Sequence, residues 1–505
     1  MAEPATIDEA RIQQIVAEAI AELRGTSLPP QPERTLSGAK REPALSLERS
    51  KGTDEASKDG DRPGAGGVFP DVDSAVAAAN AAFRQFRRMP LELRAKLIAA
   101  MRRSAEEAAT ALAYEAWQET GLGRYEDKIE KNLLNARKTP GTEDLPATAW
   151  SGDHGLTIVE WAPFGVVASI TPSTNPTATI ICNSIGNIAA GNVVVFNAHP
   201  SARRCSASAV RVLNRAIQAA GGPANLITCV AEPTIETAQA LMRHKGVRVV
   251  LVTGGMAVVR EAMTTGKRAI CAGPGNPPVV VDETADLDVA GKGIVKGASF
   301  DNNVICTDEK EIFAVDAIAG DLKRSLSAHG AVEISSWQLG RLCKAIFEED
   351  RGPGKPGVMN KKFVGKDASV LLAEIGVSAG KEVRLIFADV PRDHPLVWSE
   401  QLMPIVPLVR VRDAGEAIDL AVQAEHGFRH TAVMYSRHID HLDQMAREID
   451  CSIFVKNGPS LSGLGYNGEG YCSFSIAGTT GEGMTRPSTF CRPRRCTLVD
   501  SFRIV

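Results

Sequence analysis

Three things are missing from these 505 residues, and each absence removes a class of function. No sign of charge dominates: 57 Lys and Arg stand against 60 Asp and Glu, a net charge of −3, so nothing marks a general binder of polyanions such as nucleic acid. No apolar run approaches the ~20 residues that a bilayer-spanning helix needs, so no membrane insertion is expected. No C-x-x-C pair occurs among the ten cysteines, and the two nearest are Cys491 and Cys496. That spacing suits reduced thiols in a cytosolic setting rather than a disulfide framework or a metal site. The opening MAEPATIDEARIQQIVAEAIAELRG carries acids throughout and no basic leader, so it does not read as a secretory signal. No internal repeat is visible.

What remains is an ordinary globular composition, 44% apolar and 23% charged, long enough for two large domains. Residues 7–24 place Ile12, Ile15, Val16, Ile20 and Leu23 on one helical stripe, with Gly25 able to end the helix. Residues 25–67 contain 17 Gly, Pro or Ser and no aromatic residue, the composition of a flexible linker. A short helix beyond such a tether is marginal unless its stripe docks on something. It is a frayed terminus or an extra helix packed on the body, or else a docking peptide for another protein, which the long tether favours.

From Phe69 the pattern becomes α/β. Helical periodicity runs over 72–89 and 91–119. The apolar runs Val166–Ile170, Val193–Phe196, Leu226–Val230 and Val249–Val252 then alternate with helices near 179–190, 203–219 and 235–244. Alternation at this spacing predicts parallel strands in a doubly wound sheet, and a second series from Val279 to about Phe454 predicts a second such domain.

Four segments hold residues capable of chemistry. Gly463, Gly465 and Gly468 fit G-x-G-x-x-G but lack the strand and helix that the dinucleotide motif requires, so they read as a surface loop. In CAGPGNPP, Gly273 and Gly275 form a turn whose backbone can approach a ligand closely. Cys306 lies between the polar turn Asp301–Asn302–Asn303 and a predicted strand, Glu311–Val315, at a loop end facing a cleft. The strand in PFGVVASITPSTNPT ends at a sheet's carboxyl edge, where α/β folds bind ligands, and Asn175 there offers an amide donor. His426 and His430 read as structural or lining residues.

Taken in order, ITPSTNPT (170–177), VVVFNAHPSA (193–202), LVTGG (251–255), CAGPGNPPVVVDETADLD (271–288), SFDNNVICTDEK (299–310), SEQLMPIVP (399–407), EHGFRHTAVMYS (425–436) and TFCRPRRC (489–496) resemble the aldehyde dehydrogenase superfamily over roughly residues 68–505. Within it the chain is similar to the CoA-acylating branch, in particular the propionaldehyde and acetaldehyde dehydrogenases of bacterial microcompartments. The resemblance implies an NAD-binding domain at 68–271, a catalytic domain at 272–488, and a small β oligomerisation extension made of the 147–163 hairpin and the 489–505 tail. It makes Cys306 the nucleophile and Asn175 the oxyanion donor. It places NAD against Thr171, Pro172, Asn197, His199, Thr253, Gly254, Gly255 and Gly273, with Glu400 holding the nicotinamide ribose. It also implies coenzyme A as co-substrate, a homodimer or homotetramer, and a terminal helix that binds shell proteins and directs the enzyme to the microcompartment lumen.

One departure is informative. Hydrolytic members carry Glu where this chain has Cys271, and that carboxylate activates water. Bulk water, with a pKa of ~15.7, needs such a base at neutral pH, whereas a thiol with a pKa of ~8.5 does not. The expected reaction is therefore oxidation of a short-chain aldehyde such as propanal to acyl-CoA, through a cysteine thioester. The competing readings are a non-acylating or semialdehyde dehydrogenase of the same fold and a catalytically idle, shell-associated scaffold.

Overall fold

Val166–Ile170 (β4), Val193–Asn197 (β5) and Val249–Thr253 (β7) are buried at every position, as strands covered on both faces must be. The computed structural model describes residues 64–505; residues 7–24 and almost all of the 25–67 linker lie outside them. Gly66–Val505 forms one compact unit. Its first sheet adds Val68–Phe69 (β1), Ile227–Val230 (β6) and Arg268–Ala272 (β8) to the three strands above. The six are parallel, in the order β1-β6-β5-β4-β7-β8. The chain enters at the edge strand β1, crosses to β4, winds back through β5 to β6 beside β1, then returns past β4 to build β7 and β8. The strand order therefore reverses beside β4, where ligands bind in such sheets.

A second parallel sheet follows. It contains Pro278–Val281 (β9), Glu311–Val315 (β10), Ala331–Glu333 (β11), Leu385–Val390 (β12), Ile405–Val411 (β13), Thr431–Tyr435 (β14) and Ile453–Lys456 (β15). Their order is β11-β12-β13-β10-β9-β14-β15. The turn after β8 leads directly into β9, so the sheets meet at 273–277. Thr148–Gly152 (β2), Gly155–Pro163 (β3) and Cys491–Val499 (β16) make a separate three-stranded antiparallel sheet, in which the tail pairs with the hairpin along its whole length. This is the α/β fold with two doubly wound sheets and a β extension that the sequence predicts.

The helices that position the site are Val72–Phe86 (α1), Leu91–Glu107 (α2), Ala109–Thr120 (α3), Tyr125–Lys138 (α4), Pro176–Ala189 (α5), Arg203–Ala219 (α6), Ile235–Arg243 (α7) and Met256–Met263 (α8). The helical stretch at 91–119 is two helices, divided at Ala108. Helix α4 carries five charged side chains in its first seven residues and still buries Asp127, Lys128 and Lys131. Among the described residues no helix is long and apolar enough to cross a membrane, and no group of three His, Cys, Asp or Glu side chains is placed to hold a metal ion.

Candidate active site

Four residues remote in sequence arrive together because each precedes a strand of the second sheet. Gly275 precedes β9, Cys306 precedes β10, Glu400 precedes β13 and His430 precedes β14, and these four strands are adjacent. Gly275 lies at their meeting point. A Cβ on it would come within 2.5 Å of the Cys306 carbonyl oxygen and 3.0 Å of the His430 ring, so only glycine fits. Its N–H points at Glu400 Oε1, 3.5 Å away.

The turn bearing Cys306 is conformationally costly. Asp301, Asn302 and Asn303 take φ values of 46°, 56° and 65°, three consecutive non-glycine residues in the left-handed region. Asn and Asp tolerate it best, but each such residue still carries strain of about 1–3 kcal/mol. Side chains hold the turn in place. Asn303 Nδ2 donates to Ala298 O (2.8 Å) and Glu309 O (2.9 Å), and Asn302 Nδ2 donates to Gly365 O (3.0 Å) and Asp367 Oδ1 (2.9 Å). The fully buried Lys310 ammonium donates to Asn303 O (3.0 Å) and Ile305 O (3.4 Å). Asp301 Oδ1 accepts from Arg124 N (2.6 Å) at the start of α4, and its Oδ2 accepts from Lys128 Nζ (2.9 Å) and from Lys131 Nζ.

Cys306 is half-buried on this turn. Loss of solvent pushes its thiol up to about 12, with the Glu400 and Asp308 charges acting in the same direction and Lys310 against them. Burial likewise raises Glu400 and pushes the His430 imidazole down to about 3, leaving that ring neutral at physiological pH. His430 Nδ1 lies 2.9 Å from Thr431 Oγ1, and its buried Nε2 has no hydrogen-bond partner. So low a basicity makes this ring a poor base for a thiol at neutral pH; as a neutral imidazole it can still form a hydrogen bond through the free nitrogen.

Asn175 caps α5 at the carboxyl edge of β4. Its Oδ1 accepts from Lys131 Nζ (2.7 Å), and one amide N–H reaches Thr174 Oγ1 (3.2 Å). Lys131 thereby joins Asn175 to the Asp301 turn. Cys271, where hydrolytic members have Glu, is fully buried in β8; burial and the charge of Glu482 push its thiol up to about 11. Glu482 itself is engaged by Arg268 (3.7 Å) and by the Thr480 hydroxyl.

The remaining residues line the carboxyl edge of the first sheet. Thr171 and Pro172 follow β4, and the buried Thr171 Oγ1 has no partner. Thr253 ends β7 with Oγ1 2.7 Å from Ser475 Oγ, while Gly254 and Gly255 lead into α8 with open space where their Cβ atoms would be. His199 is exposed past the end of β5. Asn197 is turned inward: its Oδ1 accepts from Thr237 Oγ1 (2.7 Å) and its Nδ2 faces Thr234 O (3.4 Å), so its amide is occupied by α7. Gly273 faces Thr479, whose Oγ1 would be 2.8 Å from an added Cβ.

Residues 67–334, more than half the chain, match the aldehyde dehydrogenase family. The chain belongs to this family. The acetylating acetaldehyde dehydrogenase of Salmonella typhimurium is 50% identical over 87% of this chain and 94% of its own length. The CoA-propanoylating propanal dehydrogenase of Citrobacter freundii is 43% identical over 87% and 94%. Among solved structures, the Rhodopseudomonas palustris propionaldehyde dehydrogenase with bound propionyl-CoA superimposes with a TM-score of 0.84 at 48% identity, covering 86% of this chain and 96% of that one. The enzyme from the fucose utilisation microcompartment of Clostridium phytofermentans gives 0.84 at 44% identity, covering 87% and 100%.

In this aldehyde dehydrogenase the first-sheet edge suits a dinucleotide. The open glycine pair at the start of α8 can admit a pyrophosphate, and the unpartnered Thr171 hydroxyl faces the same edge. Nothing in the sequence signals that Lys128, Lys131 and Lys310 are buried, and His430 reads there as a structural or lining residue. Lysines on a charged helix read as a solvated face, and only burial marks them out. For Lys310 the one available signal is its place four residues after Cys306.

Proposed function

We propose that this chain is a CoA-acylating aldehyde dehydrogenase that oxidises a short-chain aldehyde, propanal or acetaldehyde, to acyl-CoA. The observation that carries the reading is the half-buried Cys306 on its braced turn, in a chain with Cys271 where a water-activating Glu would stand.

The Cys306 sulfur adds to the aldehyde carbonyl as its thiolate, the thiol proton having gone to solvent, and the developing oxyanion takes an N–H from Asn175. Thr171, Pro172, His199, Thr253, Gly254, Gly255, Gly273 and Glu400 would hold NAD, which would supply the hydride acceptor for the oxidation. Cys306 then carries an acyl thioester. Coenzyme A, its thiol proton lost to solvent, attacks the acyl carbon through sulfur, the acyl bond to Cys306 breaks, and Cys306 leaves as the thiolate that began the cycle. With no Glu at 271, water lacks a base in that position and the thiol acceptor wins.

The test is NADH absorbance with C2–C4 aldehydes. With coenzyme A, turnover is continuous; without it, NADH should stop at about one equivalent per active site, the burst expected of an accumulating acyl-enzyme. Cys306→Ala should abolish both phases. Undiminished steady turnover without coenzyme A would make this a hydrolytic member instead.

The chain is further proposed to act as a homodimer or homotetramer in a microcompartment lumen, with residues 7–24 docking on shell proteins. Support comes from that amphipathic stripe, the linker composition and the similarity to microcompartment enzymes. A chain beginning at Gly66 should keep its turnover but no longer co-sediment with shells, and unchanged encapsulation would defeat the proposal.

A further inference from the structure

The Asn175 amide has two ends of nearly equal shape, and only one of them can stabilise an oxyanion. Turned one way it offers N–H; turned by 180° it offers a carbonyl oxygen, which repels the same charge. Something has to choose between them. Lys131 is 2% exposed, and an ammonium has three donors and no acceptor. Its contacts are Asn175 Oδ1 at 2.7 Å, Thr174 O at 3.3 Å and Asp301 Oδ2. A group that can only donate can meet only the oxygen end of the amide, so the nitrogen end is directed away from it.

Charge pairing alone does not account for this lysine. Lys128 Nζ already lies 2.9 Å from Asp301 Oδ2, and Asp127 pairs with Arg384 at 2.6 Å. Lys131 is the second ammonium on the one Asp301 carboxylate, with the charge of the buried Asp308 also acting in its favour, and loss of solvent still pushes it down to about 8. Its contact with Asn175 is a hydrogen bond that this pairing does not require.

We propose that Lys131 is a positioning residue for the reaction. It fixes the Asn175 amide with its N–H toward the substrate oxygen and ties that amide, through Asp301, to the turn that carries Cys306. Donation from a cation to Oδ1 also polarises the amide, making its N–H a stronger donor. The inference rests on the reading of Asn175 as the oxyanion donor.

The experiment is a double-mutant cycle on the full-length chain, read as the single-turnover rate of NADH formation from propanal. Asn175→Ala should slow that rate by ~10²–10³, the usual effect of losing one oxyanion donor. Lys131→Met should slow it by about tenfold or more with little change in aldehyde KM, because binding before charge develops does not need the donor. Lys131→Arg, which also has only donors, should retain more activity than Lys131→Met. Lys131→Gln, which can accept as well as donate, should not. In the Asn175→Ala background, Lys131→Met should have almost no further effect, because its target is gone.

Equal fold losses from Lys131→Met in both backgrounds would overturn the proposal and leave Lys131 a structural cation. An unchanged rate in Asn175→Ala would instead remove the oxyanion reading, a separate failure. If Lys131→Met does not fold, the Arg and Gln variants carry the same cycle.

Discussion

At the scale of single residues, the free chain keeps its nucleophile protonated. With the Cys306 thiol pushed up to about 12, chiefly by burial, the thiolate fraction at neutral pH is small. That fraction rises about tenfold for each pH unit below the pKa. Alkylation of Cys306 by iodoacetamide in cofactor-free protein should therefore accelerate about tenfold per unit from pH 7 to 9 without levelling. The rate is followed on the Cys306 peptide by mass spectrometry, which separates it from the exposed Cys496. A plateau near pH 7 would reveal a preformed thiolate. Cys306 was a weak candidate on its own residues, and the family motif around it singled it out. The setting of His430 was not legible, because nothing in GFRHTAV reports that Nε2 lacks a partner or that Gly275 packs against both the ring and the Cys306 carbonyl.

At the scale of elements, legibility followed periodicity. The strand Val166–Ile170 was read to the residue, and β5, β6 and β7 to within one residue at either end, because runs of buried β-branched residues bounded by turns have few other conformations. The break at Ala108 was invisible, since an alanine in mid-sequence signals continuation, and the helices divide there without Gly or Pro. The polar turn before Cys306 was recognised as a turn, but not its left-handed path through three residues. That path depends on partners such as Gly365, Lys128 and Lys310, scattered over more than two hundred positions. Helix α4 shows the same limit. Its amphipathic pattern is weak because its inward face is ionic, so the helix that braces the catalytic turn carries no hydrophobic stripe to announce it.

At the scale of the whole molecule, the three-stranded extension is the part least explained by the chain on its own. β16 pairs with β3 from Cys491↔Pro163 to Val499↔Gly155, yet nearly every side chain along it is exposed, as are Trp150 on β2 and Phe502 beyond the strand. A thin sheet with no helix layered on it buries too little apolar surface to be stable alone, and its outer edge offers unpaired backbone groups. A second copy of the chain covering that sheet resolves both problems, which is the physical case for a homo-oligomer. Light scattering should accordingly give the full-length protein a mass at least twice the 53.7 kDa of one chain. Deleting residues 491–505 removes one strand and exposes the β3 edge, so the shortened chain should fall to monomer or aggregate. The active-site turn, braced by α4 and the second sheet, owes nothing to β16, so any soluble monomer should still give a single-turnover burst of NADH. A full-length protein that scatters as a monomer would leave the exposed sheet without a partner and refute the oligomer.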